Sequence, residues 1–194
     1  MRITRFASAV CVVLLCIGAT APIGTMAEPP NGSKATPLIL EKNEGERRVW
    51  RPIEGLTGGP GPFILKVDPH NGGSSHLVLG TEDIPPGGKI DAHRHLGSDE
   101  ILYLQNGRAR VSLGDAVREV HGGATVFIPA NTWISVTNIG TDAIGAIFVF
   151  SAPGFEEFMR AESVREGDKP IPLSKAQDSE ILKEHTHAVI YREP

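Results

Sequence analysis

Between about residues 49 and 150 the apolar runs are short, and Gly, Pro, Asn and Asp interrupt them at intervals of roughly 8–12 residues. That rhythm predicts an all-β domain, a sandwich or barrel. In Arg108-Ala-Arg-Val-Ser-Leu113 polar and apolar positions alternate, which predicts a strand with one wet and one buried face. The runs 101–105 and 108–113 flank Asn106-Gly107, a pair that accepts positive φ, so a two-residue hairpin is expected to join them. Gly114-Asp115 predicts another turn, and Pro85-Pro-Gly-Gly88 an earlier one. Further strands are predicted over 116–120, 125–128, 133–138 and 144–150.

The pattern changes at both ends. After Pro153-Gly154, residues Phe155, Phe158 and Met159 form an i, i+3, i+4 stripe, predicting a helix over about 154–163 that packs on a core. Ser174 and Gln177 have capping-box spacing and predict a second helix over about 175–185, covering the barrel or a subunit edge. Residues 28–48 are polar and rich in Pro, Gly, Lys and Glu, a flexible lead-in. Residues 1–27 carry Arg2 and Arg5, a short apolar run over 7–18, and Thr25-Met-Ala27 before Glu28. This is the pattern of a cleaved export signal, too short for a stable membrane span. The expected organisation is a signal (1–27), a lead-in (28–48), a barrel (49–152) and a C-terminal helical extension packed on it (153–194). The expected location is periplasmic or secreted.

Composition narrows the functional classes. The chain of 194 residues has 19 Lys and Arg against 23 Asp and Glu, net −4; removing Arg2 and Arg5 with the signal makes it −6. No basic stripe is present, so a nucleic-acid partner is not expected. Both cysteines, Cys11 and Cys16, fall within 1–27, so the mature chain would have no disulfide and must rely on packing, with or without a metal.

The candidate chemistry lies in one stretch. His93 and His95 stand two apart, and on a strand they point the same way. Glu100 follows five residues after His95, and Gly87 and Gly107 bracket the set. Two imidazoles and a carboxylate suit a divalent transition metal (Fe, Mn, Ni or Zn) with coordination positions left open.

The spacing Gly87-x5-His93-x-His95-x4-Glu100-x6-Gly107 resembles the first motif of the cupin superfamily at every defined position. The second motif, Gly-x5-Pro-x-Gly-x2-His-x3-Asn, is matched by Gly123, Pro129 and Asn138. It departs at Asn131, where the family has glycine, and at Ile134, where it has histidine. The resemblance covers about residues 63–150. It implies a jelly roll, or double-stranded β-helix, with a site inside the barrel mouth. It implies His93, His95 and Glu100 as metal ligands, the fourth being lost at Ile134. It also implies a homodimer.

Three readings of the site stay open. Metal is held by three protein ligands, as in non-haem iron oxygenases. Or another side chain, His76 or His121, replaces the missing imidazole. Or the metal is lost and the barrel is a plain pocket. Ile134, Tyr103 and Asn131 are expected to line the substrate pocket. The first reading gives an exported metal-dependent enzyme, an oxidoreductase of the dioxygenase type acting on a small organic substrate. The competing one is a non-catalytic binding protein for a small molecule.

Overall fold

The structure, a computed structural model, describes residues 35–192. The expected export signal, both cysteines and the start of the lead-in lie outside the described residues. The described strands are β1 (Glu46–Trp50), β2 (Phe63–Val67), β3 (Val78–Ile84), β4 (Lys89–His95), β5 (Glu100–Leu104), β6 (Arg108–Leu113), β7 (Ala116–His121), β8 (Thr125–Ile128), β9 (Ile134–Asn138), β10 (Ile144–Phe150), β11 (Ser163–Arg165) and β12 (Val189–Tyr191). The helices are α1 (Phe155–Ala161) and α2 (Lys175–Glu184).

All strand pairs are antiparallel and form two sheets, β11-β1-β2-β3-β10-β5-β8 and β12-β4-β9-β6-β7. Along β3, β5, β9 and β10 buried positions recur every second residue, so each strand gives one face to a shared core. Phe63, Leu65, Ile84, Leu104, Ile128, Ile144 and Phe150 fill that core. The result is a jelly-roll barrel with two short helices, as the resemblance implied.

The expected hairpin at Asn106-Gly107 does not form. β5 pairs with β10 and β8, whereas β6 pairs with β7 and β9. The dipeptide is instead a corner where the chain crosses from one sheet to the other. Gly107 takes φ +80°, and a Cβ there would lie 2.7 Å from the Ile144 side chain. Asn106 bonds across to β10 and its approach, donating to the Ala143 carbonyl at 2.7 Å and accepting from the Gly145 N–H at 2.9 Å. The true two-residue hairpin is at Gly114-Asp115, between Leu113 and Ala116.

The helices fall close to their expected bounds. Ser174 caps α2 in a reciprocal capping box with Gln177, at 3.0 and 3.3 Å. The extension also supplies strands. β11 pairs with β1, and β12 pairs with β4. α1 is tied down by charge as well as by Phe155, Phe158 and Met159. Arg160 bridges Glu46 on β1, at 2.8 Å, and Asp68, whose carboxylate is fully buried. Asp68 also accepts from the His70 and Asn71 N–H groups at 2.8 and 2.6 Å. No described helix is long and apolar enough to cross a membrane.

Candidate metal centre

β4 and the start of β5 bring three ligating groups together. His93 and His95 are on the inward face of β4. The pairing of β4 with β9 shifts register between Ile90 and His93, an irregularity of the kind that re-aims side chains near functional sites. Glu100 opens β5 after the loop 96–99. That loop is anchored to the far end of β10, where Ser151 Oγ accepts from the Asp99 N–H at 2.9 Å.

The donor atoms of His93, His95 and Glu100 all lie within 4.8 Å of one another. His95 Nε2 is 3.1 Å from Glu100 Oε2 and 3.2 Å from His93 Nε2. His93 Nδ1 sits 2.9 Å from the Asp91 carbonyl, which only accepts, so this nitrogen carries the proton. Neutral His93 then presents the Nε2 lone pair to the cluster, the tautomer a metal needs. Burial, reinforced by His95, pushes the His93 pKa down to about 4, so the ring is neutral near pH 7. His95 Nδ1 is buried with no hydrogen-bond partner. Two Nε2 atoms and one carboxylate oxygen converging at this range fit a divalent transition ion.

The remaining expected site residues separate. Ile134 faces inward directly opposite His93 in the β4–β9 register, and it is buried. Tyr103 does not join the cluster. It lies on the outward face of β5, exposed, because Glu100, Leu102 and Leu104 take the inward positions. Asn131 is also exposed, in the loop before β9. Its contribution is conformational: φ is +65°, which asparagine tolerates best among residues with a side chain, and its N–H donates to the His95 carbonyl at 2.6 Å. His121 is exposed at the end of β7, and His76 is exposed before β3; neither is within the cluster.

Two features were missed in the sequence. The first is a cover. Phe155 of α1 stacks on His93 at 5.8 Å and meets His95 edge-on at 4.4 Å. Tyr191 of β12 stacks on His93 from another side at 5.3 Å, and Phe150 lies 4.9 Å from His95. His93, His95 and Glu100 are consequently only 5, 2 and 6% exposed, a closed cluster where an open barrel mouth was expected. The helical stripe in the sequence marks Phe155 as core packing only, and nothing in the sequence places residue 191 beside residue 93.

The second is a set of buried carboxyls. Glu82 points inward from β3 and accepts from Trp50 Nε1 at 3.0 Å. Burial, with Glu100 adding repulsion, raises its pKa to about 8. Glu162, after α1, is raised to about 8 by burial and by Asp178. The consequence for stability has a definite sign. From the ordinary value of 4.5 up to about 8 the folded chain keeps protons the unfolded chain has released, so rising pH favours unfolding. This contribution is complete below pH 4.5 and lost as pH rises through 8. His93 acts oppositely: its contribution is complete above 6.5 and lost as pH falls through about 4. Glu82→Gln keeps an acceptor for Trp50 and removes one titration. Thermal melts should therefore show a smaller loss of Tm between about pH 6 and about pH 9 in Glu82→Gln than in the parent.

With this geometry in hand, the relatives are informative. Residues 80–150 match the Cupin domain family. The match runs through β3 to β10, contains His93, His95, Glu100 and Ile134, and supports the cupin superfamily for this barrel. An uncharacterized protein of Methanocaldococcus jannaschii is 39% identical over 57 residues, covering 29% of this chain and 46% of that protein. The matched segment thus spans less than half of that curated relative. Among solved structures, the cupin domain of Schizosaccharomyces pombe Cnp3 is 14% identical, with a TM-score of 0.43 over 51% of this chain and 69% of that one. The oxalate decarboxylase of Lactobacillus farciminis, in a formate complex, is 22% identical with a TM-score of 0.44, covering 47% of this chain and 29% of that one.

Proposed function

We propose that this chain is an exported, metal-dependent cupin enzyme of oxygenase type, acting on a small organic substrate through His93, His95 and Glu100. The observation that carries this reading is the convergence of two imidazole nitrogens and a carboxylate oxygen inside a barrel, with the His93 tautomer set by the Asp91 carbonyl. A divalent ion there would supply Lewis acidity and open coordination positions. Glu100 balances part of its charge, and Ile134, in place of the second-motif histidine, gives the site an apolar wall. The export pattern of residues 1–27 supports a periplasmic or secreted location.

The test for open positions uses Fe(II)-loaded protein held without oxygen. Nitric oxide, an oxygen mimic, should give an EPR-visible adduct. No adduct on loaded protein would favour the competing reading, a binding protein without turnover. The closed cover over the ligands is the observation that keeps that second reading in view.

Ile134→His tests the ligand count. Opposite His93 and inward-facing, the new imidazole can reach the cluster. Chelator competition should show metal affinity rising by more than the roughly tenfold that even outer-shell partners contribute. Unchanged affinity would mean that position 134 does not face the ion.

A homodimer is also inferred, through the outer face of the larger sheet. There Ile101 faces Phe127 in register and Ile147 faces Tyr103, and Ile101, Phe127 and Tyr103 are exposed at 44, 56 and 38%. Such a contiguous apolar patch marks an association surface. Phe127→Glu should shift the mass measured by light scattering from dimer to monomer. A monomeric parent would contradict the inference.

A further inference from the structure

The cover over the cluster has an asymmetry. Phe155 starts α1, which buries Phe155, Glu156, Phe158 and Met159 and is pinned by Arg160. Tyr191 belongs to a strand of three residues at the edge of its sheet, paired only with β4. The helix before that strand, α2, fully buries none of its residues and meets the core through the half-buried Ile181 and Leu182. One ring of the cover is therefore on an ion-paired helix and the other on a three-residue edge strand, which buries Val189 but pairs with one neighbouring strand. Short edge elements held through a single neighbour are among the parts of a fold that open locally.

The rings and side chain around the two imidazoles are apolar (Ile134 opposite His93, with Phe150, Phe155 and the ring of Tyr191), and the buried Glu82 carboxyl repels Glu100. The cations of β4 are turned away from the cluster, Lys89 toward Asp91 at 2.7 Å and Arg94 over the Trp133 ring at 4.8 Å. A substrate with two negative charges would find no counter-charge here beyond the ion.

We propose that Tyr191 is the gate and selectivity residue of the site: a small, apolar-faced ligand of at most one negative charge reaches the metal by displacing Tyr191 together with β12, and packs against Phe155 and Ile134. This rests on the metal-site reading above. Exchange between closed and open forms limits binding, because only the open fraction is competent.

The experiment uses the full chain loaded with Co(II), whose visible bands report ligand exchange. In stopped flow, azide should bind about tenfold faster or more to Tyr191→Ala than to the parent, and Tyr191→Phe, which keeps the ring, should behave like the parent. Benzoate should shift the bands at a concentration about tenfold lower than acetate, the two sharing a carboxylate and differing in the apolar ring. Hydrogen exchange on the unmutated protein is a readout that does not depend on any variant folding. Amides of β12 should exchange faster than those of the central strand β10. Co(II) bound with equal azide rates in parent and Tyr191→Ala, or β12 as protected as β10, or acetate binding as tightly as benzoate, would overturn the gate alone. Failure of the parent to bind Co(II) would overturn the gate and the metal reading together.

Discussion

Protein carrying His93→Ala and His95→Ala should retain less than roughly one-tenth of the parent's metal, a loss exceeding that of outer-shell partners because two direct ligands are removed. Both rings are buried in the same small cluster, and Glu100 alone cannot hold a transition ion against solvent. The change should not unfold the barrel. The positions lie under Phe155 and Tyr191, while the core of Phe63, Leu65, Ile84 and Ile144 is untouched. Elemental analysis should accordingly show lost metal in a protein whose far-UV circular dichroism is that of the parent. Parent-level metal in the double variant would place the ion elsewhere.

The largest expected effect on stability comes from Arg160→Ala. Asp68 is fully buried, and Arg160 is its only cationic partner among the described residues; the same guanidinium reaches Glu46. Removing one member of a buried pair leaves a charge uncompensated, at a cost of about 3–5 kcal/mol. The two N–H groups of His70 and Asn71 that also bond Asp68 would soften this without neutralising the carboxylate. Urea unfolding should show that loss, and with it a looser α1, since Arg160 joins that helix to β1 and to the loop after β2. A change below about 1 kcal/mol, the size expected of an exposed pair, would mean that Asp68 is hydrated in solution.

The sequence was informative where local rules suffice. Short apolar runs between turn residues located most of the strands between 100 and 150 and the Ser174 capping box located α2, because both signals arise within a few residues of chain. The histidine spacing put His93 and His95 together because one strand fixes their common face, and the motif resemblance added Glu100, which the fold brings in from the next strand. Local rules failed where a long-range partner decided the outcome. Asn106-Gly107 has hairpin chemistry, yet Ile144 and Ala143 draw it into a crossover corner between sheets. Tyr103 alternates outward once Glu100 is inward, a consequence of register that excludes it from the site. The closure by Tyr191 depends on a strand pairing nearly a hundred residues apart in sequence, which no window of the chain records. Nothing in the sequence marks Glu82, since a carboxyl reveals its burial only through neighbours such as Trp50.

The metal itself remains the most direct thing to measure. Protein purified without chelator, or dialysed against Fe(II), Mn(II), Ni(II) or Zn(II), should carry about one ion per chain and melt at a higher temperature than the stripped protein. A chain that binds none of these ions, and whose melting temperature is indifferent to all of them, would contradict a metal centre at His93, His95 and Glu100.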